Sequence, residues 1–263
     1  KENIHPSTNL FKGSTLSEQD LSKVMKNSNF DAVIHLAASK AAGESMINPS
    51  KYADNNIIGG IKLIKACVEN GIDKFIFSSS AAVYGNPKYN PLDELHPKVP
   101  LNYYGYTKLL IEDNLKWFST LSGLNYACLR YFNAAGYDVE RRILTKENDP
   151  QNLIPIVMEV ASRKRKKIYI FGDDYDTKDG TGIRDYIHVS DLAQGHIDAL
   201  SYLLEKKENL VTNLGTGIGH SVLDIVNMTK KVSGKNVKFE ISKRRPGDPS
   251  IVIAGSDKAK KLI

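Results

Sequence analysis

At 263 residues the chain can form one large α/β domain or two lobes, and 41% apolar with 25% charged residues is the balance of a globular protein with a sizeable core. Its two cysteines, Cys67 and Cys128, sit in apolar runs and read as buried small hydrophobes, which argues against a disulfide framework and fits a reducing compartment. The net charge of +6 and the run "RKRKK" (163–167) raise a nucleic-acid reading. No nucleic-acid-binding signature accompanies the run, and cations after the helical pattern "LIPIVMEVAS" suit a solvated helix C-terminus. No apolar stretch approaches the ~20 residues that span a bilayer, and "KENIHPSTNLFKG" has no signal-peptide core, so the chain reads as cytoplasmic.

In chain order, a helix is expected over 17–27 with a cap in "SEQD", then a strand in "DAVIHLAA" (31–38). A helix over 55–70 ended by Gly71 leads to the strand "KFIFSSS" (74–80). A helix over 103–121 ended by Gly123 leads to "YACLRYF" (126–132). These strands are near-continuous apolar runs, as in a parallel sheet covered on both faces. After Asn133 the pattern loosens: a strand at 168–171, a helix from about Ser190, a strand at 210–214, a helix from Ser221 and a last strand near 237–241. The fold class is therefore α/β, a doubly wound parallel sheet, with 1–132 as its core. Residues 133–263 form mostly a smaller lobe that returns a strand and a helix to that sheet.

Such sheets bind ligands beyond the carboxyl ends of their strands, which points to "ASKAAGES", "SSSAAVYG" and "NAAGY". Tyr and Lys stand four apart at Tyr84/Lys88, Tyr104/Lys108 and Tyr202/Lys206. Gly85 and Pro87 forbid a regular helix for the first pair, and no loop hydroxyl is assigned near the third. Tyr104 and Lys108 share a helix face just after the strand ending in "SSS". A phenol titrates near 10, too high for a base at neutral pH, and an adjacent ammonium favours phenolate. With a hydroxyl from Ser80, the trio suits taking a proton from an alcohol while hydride leaves the same carbon for a nicotinamide.

"DAVIHLAASKAAGES", "YADNNIIGG", "KFIFSSSAAVYG", "YYGYTK", "LRYFNAAG", "NLIPIVMEVA", "IYIFGDDYDTKDGTGIRDYIHVSDLAQGH", "NLGTGIGHSVLDIV" and "RRPGDP" occur in one order along nearly the whole chain. In these segments the chain resembles the extended short-chain dehydrogenase/reductase superfamily, and within it the UDP-glucose 4-epimerase family. The resemblance implies tightly held NAD, hydride passing to it from sugar C4 and returning to the opposite face, and UDP-glucose and UDP-galactose as substrates. It implies Tyr104 as base, Lys108 on the nicotinamide ribose and Ser80 at the sugar hydroxyl. Leu36, Ala37, Ala38, Lys40, Asn55, Ser78, Tyr131 and Phe132 would line the cofactor. Asn133, Asn152, Leu153, Tyr169, Ile170, Phe171, Arg184, Arg245 and Asp248 would hold the UDP-sugar, the arginines offering paired donors to a diphosphate. Val252, smaller than the Tyr some epimerases carry there, would leave room for an N-acetyl group. Helices 55–70 and 103–121 would pair in a homodimer.

Ala81 and Ala82 stand where 4,6-dehydratases carry an acid, which disfavours that reaction; UDP-glucuronate epimerases and decarboxylases stay open. "GTGIG" (215–219) has His220 in place of its last glycine and reads as a strand-to-helix turn capped by Ser221. "DDYDTKDG" lacks the twelfth-position Glu of a calcium loop, His35 and His188 read as core histidines, and no metal-ligand cluster is expected. The glycine-rich turn that cradles a dinucleotide pyrophosphate is not among these residues. The chain therefore reads as a fragment expected to hold NAD poorly, with a non-catalytic UDP-sugar-binding or dimerisation module as the alternative.

Overall fold

The computed structural model describes residues 4–26, 29–143, 147, 149–245 and 247–263. Asn27, the last residue of the first expected helix, and Pro246 of "RRPGDP" lie outside them. The strands are β1 (Val33–His35), β2 (Lys74–Ser80), β3 (Asn125–Tyr131), β4 (Asn133–Ala135), β5 (Ile168–Phe171), β6 (Ile183–His188), β7 (Leu210–Leu214), β8 (Gly219–Ser221), β9 (Phe239–Ser242) and β10 (Ile251–Val252). The helices are α1 (Glu18–Lys26), α2 (Ala42–Ser45), α3 (Pro49–Tyr52), α4 (Gly59–Glu69), α5 (Tyr103–Ser122), α6 (Leu153–Ala161), α7 (Val189–Lys206), α8 (Val222–Ser233) and α9 (Asp257–Leu262).

The main sheet runs β1-β2-β3-β7, every pair parallel. Alternation along β2 sends Phe75 and Phe77 to one face, into a core with Ile64, Cys67, Ile111, Leu115 and Cys128. Ile76 faces the other way, into a core with Leu129, Ala199, Leu203, Leu210 and Leu214. Helices thus cover both faces, which is the doubly wound arrangement the apolar runs predict. β7 joins the main sheet through β3. The other strands form two smaller sheets: β10-β6-β4 with β8 antiparallel to β6, and the parallel pair β5-β9.

Three expectations need correction. The first strand is only Val33–His35, and Ile34 is 42% and Leu36 60% exposed, because β1 is an edge strand among the described residues rather than one buried on both faces. The helix expected from Asn55 begins instead as a π-helical turn over Ala53–Ile58 and turns regular at Gly59. That turn lets Asn56 point inward, where its carboxamide accepts from Ser39 N at 2.8 Å and donates to Ser39 O at 3.0 Å and Thr107 Oγ1 at 3.1 Å. The last expected strand lies at 239–242 and pairs with β5.

α5 carries its own boundary signals. Asn102 accepts from Gly105 N at 2.8 Å to cap its start, and Gly123 at φ 71° closes its end. Gly105 brings the first turn against the backbone after β2: a Cβ there would sit 2.4 Å from Ala82 O. This close approach packs the turn that bears Tyr104 directly on the segment after β2.

Candidate active site

The carboxyl ends of β2 and β3, the segment after β1 and the first turns of α5 and α6 enclose a cavity of about 350 Å³. Leu36, Ala38, Lys40, Ser78, Ser80, Tyr104, Lys108, Tyr131, Phe132, Asn133, Asn152 and Leu153 all line it. So do Ser79, Ala134, Ile154, Pro155 and Tyr186, which sequence reasoning missed. Ile154 and Pro155 sit within the quoted "NLIPIVMEVA" and Tyr186 beside Arg184, so a wider reading of those motifs would have found them.

Lys108 is 3% exposed, and its ammonium donates to Ser78 O at 2.7 Å. It lies 4.8 Å from the Phe77 ring centre and 5.8 Å from that of Tyr104. Burial pulls it down from its ordinary value to about 8. The nearby Ser80 hydroxyl favours the Tyr104 phenolate, but burial outweighs this and raises its pKa. Sequence reasoning assigned the tuning of Tyr104 to Lys108; here burial and the Ser80 hydroxyl dominate. The Tyr104 backbone is pinned by the buried Ser45, whose Oγ accepts its N–H at 3.0 Å.

His35 is buried, stacked on Phe77 with ring centres 5.8 Å apart. Burial and then the Lys108 charge hold it down at about 4, so it is neutral near pH 7. Tyr131 on the opposite wall meets His196 Nε2 in a short hydrogen bond. His196 Nδ1 lies 2.7 Å from Leu192 O, which can only accept, so Nδ1 carries the proton and Nε2 accepts from the tyrosine.

The remaining predicted residues lie outside the cavity lining. Asn55 donates to Ser39 Oγ at 3.3 Å, behind the segment that bears Lys40. Ala37 is exposed between two lining residues. Tyr169, Ile170 and Phe171 belong to β5, with Tyr169 exposed and Ile170 buried in the core of α6 and α8. Arg184 and Asp248, both expected on the UDP-sugar, pair with each other, and Arg184 also donates to Pro249 O at 2.7 Å. Arg245 stacks on Phe171 at 4.0 Å and has no carboxylate partner among the described residues. Val252 packs against the cluster that contains Phe132.

Other motifs resolve into structure. Asp185, fully buried, accepts from Thr216 N at 2.9 Å and Gly217 N at 2.8 Å and so folds the "GTGIG" turn. Ser221 then caps α8 in a reciprocal box with Asp224. Among the described residues no cluster of three or more His, Cys, Asp or Glu could hold a metal, and no helix is long and apolar enough to cross a membrane.

Lys108 offers a direct test of fit to a nicotinamide dinucleotide. Its ammonium has three donors, and Ser78 O is its one hydrogen-bond acceptor among the described residues. A buried cation with donors to spare, beside the hydroxyls of Ser80, Tyr104 and Tyr131, fits a ribose diol. Lys108 would hold that ribose, with Leu36, Ala38 and Phe132 as apolar walls.

A doubly wound sheet that brings a tyrosine, a buried lysine and a strand-end hydroxyl to one cavity defines a protein of the short-chain dehydrogenase class. More narrowly, the chain belongs to the NAD dependent epimerase/dehydratase family, whose model matches residues 1–215. It is 43% identical over 253 residues to the UDP-glucose 4-epimerase of Halalkalibacterium halodurans, covering 96% of this chain and 76% of that protein. The crystal structure of the Brucella ovis UDP-glucose 4-epimerase in complex with NAD superposes with a TM-score of 0.93 at 40% identity, covering 96% of this chain and 78% of that one. The Bifidobacterium longum UDP-glucose 4-epimerase in complex with NAD+ and UDP superposes at 0.91, again 40% identical, covering 96% and 76%.

Proposed function

We propose that the chain interconverts UDP-glucose and UDP-galactose at sugar C4. The observation that carries this reading is the gathering of Ser80, Tyr104 and the buried Lys108 at the wall of one cavity, with Lys108 tied to the Ser78 carbonyl of β2. Bound NAD supplies the acceptor and donor of hydride. Tyr104 takes the proton of the C4 hydroxyl and returns it, and Ser80 holds that oxygen. Lys108 binds the ribose, and the Ser80 hydroxyl favours the Tyr104 phenolate. Asn133, Asn152 and Leu153 hold the sugar side, and Phe171 with Arg245 the nucleotide side. Arg184 reaches the diphosphate with its guanidinium plane oriented by Asp248.

The reading is supported by the epimerase relatives across the length of the chain. It predicts that the protein loaded with NAD converts UDP-glucose to UDP-galactose, followed by NMR of the anomeric protons. Tyr104→Phe should lower turnover by about 10²-fold or more. Protein that retains NAD and binds UDP-glucose without converting it refutes the proposal. UDP-glucuronate and UDP-N-acetylglucosamine serve as parallel substrates, and Val252→Tyr should reduce use of the acetylated sugar relative to the plain one.

The protein acts as a homodimer in the cytoplasm. Trp117 (65% exposed) and Leu121 (76%), one turn apart on α5, and Ile58 before α4 are exposed apolar side chains suited to contact with a second copy. Sedimentation velocity tests this: a dimer that Trp117→Asp converts to monomer is expected, and a monomeric parent refutes it.

A further inference from the structure

Three consecutive serines end β2 and face successive turns of α5, two of them bonded to it. Ser80 and Tyr104 line the same cavity, and the Ser78 carbonyl accepts from Lys108 at 2.7 Å. Ser79, on the opposite face of the strand, donates to Glu112 Oε1 at 2.5 Å. Tyr104, Lys108 and Glu112 stand at i, i+4 and i+8, one stripe along α5. Two of these contacts belong to the reaction proposed above; the third has no assigned role.

Glu112 is not a surface charge. It is 5% exposed and receives Arg130 in a two-pronged pair, Nε to Oε1 at 2.9 Å and NH2 to Oε2 at 2.7 Å. Arg130 NH1 donates to Tyr84 OH at 2.9 Å, Tyr84 donates to Asn213 Oδ1 at 2.6 Å, and Asn213 Nδ2 donates to Leu92 O at 2.8 Å. The network ties α5 to β2, β3, β7 and the segment after β2, all directly behind the cavity. Burying an ion pair costs desolvation that a well-packed apolar pair avoids, so packing alone does not account for it. Its contacts instead join one point on α5 to paired positions of β2 and β3, Ser79 and Arg130.

We propose that Glu112, anchored by Arg130 and received by Ser79, is a positioning residue that sets the distance from Tyr104 and Lys108 to Ser80. It touches no substrate. Its effect passes through the strand and the helix to groups whose misplacement by about 1 Å can cost on the order of 10²-fold in rate.

The inference rests on the function proposed above, so its test includes a readout that needs no turnover. Ser79→Ala removes the hydroxyl that meets Glu112 and leaves no charge unpaired. In the NAD-loaded protein, kcat should fall about tenfold with KM for UDP-glucose unchanged. The Tyr104 phenol, titrated by absorbance against Tyr104→Phe as blank, should show a midpoint shifted upward as the Ser80 hydroxyl moves away from it. The double variant Glu112→Met/Arg130→Met, an apolar pair of similar bulk, should fold and show the same fall in kcat and the same shifted titration. If both variants fold and retain the parent's kcat and phenol midpoint, the network serves the fold alone and the inference is overturned. If the parent itself does not epimerise, the function fails while the titration still decides the positioning role.

Discussion

Lys108 is the residue whose removal separates stability from function. Burial lowers its pKa from its ordinary 10.5 to about 8, and each tenfold change in a proton equilibrium is about 1.4 kcal/mol. Keeping the ammonium in the fold near neutral pH therefore costs about 3 kcal/mol. Lys108→Met removes the charge at similar volume but leaves the Ser78 carbonyl without its 2.7 Å partner, a loss of about 1 kcal/mol. The variant should be more stable than the parent by about 2 kcal/mol at pH 7 while losing turnover, as expected where a catalytic site stores destabilisation.

The pH dependence gives the sharper test. Below about pH 8 the lysine is charged in both the folded and the unfolded chain, so the whole penalty stands. Between about 8 and 10.5 the folded protein releases the proton while the unfolded chain keeps it, so parent stability rises relative to the variant. The variant's advantage should shrink across that window and reverse near its upper end, where only the unpaired carbonyl remains. Urea denaturation of both proteins at several pH values measures the gap. A variant less stable than the parent at pH 7, or a gap that does not change between pH 7 and 10, refutes the reasoning.

Gly105→Ala drives a methyl to 2.4 Å from Ala82 O and should cost about 1–3 kcal/mol while displacing Tyr104, so melting temperature and kcat should both fall. An unaffected kcat would show that this contact does not set the tyrosine's place. Ser221→Ala removes the reciprocal cap of α8 and a donor to Asp179, and urea denaturation should show a loss of about 1–2 kcal/mol with substrate KM unchanged. Burial pushes the Cys67 thiol up to about 12 and raises that of Cys128 well above its ordinary value, so a thiol reagent should label neither in the native protein and both in urea. Labelling of the native chain at neutral pH would contradict the packing of the core between β2, α4 and α5.

The part of the site that the residues disclose without the family resemblance is the part built from neighbours in the chain. Tyr104 and Lys108 are one helical turn apart, and the rule that ligands gather at strand ends was enough to bring them to Ser80. The parts it did not reach are those in which a residue's partner lies far along the chain. Glu112 in "IEDNLK" looks like an ordinary solvated helix charge until β3 delivers Arg130 beneath it. Tyr84 was set aside because Gly85 and Pro87 break its pairing with Lys88. That argument is sound, yet Tyr84 is buried as the link between Arg130 and Asn213, 129 residues away. Arg184 and Asp248 show the same limit from the other side. Their residue types suggest a diphosphate clamp, and what they do not show is that the parallel pairing of β10 with β6 sets Arg184 opposite Val252 and brings the 248–250 segment under its guanidinium. In each case a charged or hydroxyl side chain advertises the capacity for a hydrogen bond, whereas sheet register decides who receives it. Strand register is thus the quantity to obtain before roles are given to isolated charges. In this molecule the register of β2 against β3 places Ser79 directly opposite Arg130, on either side of the carboxylate of Glu112.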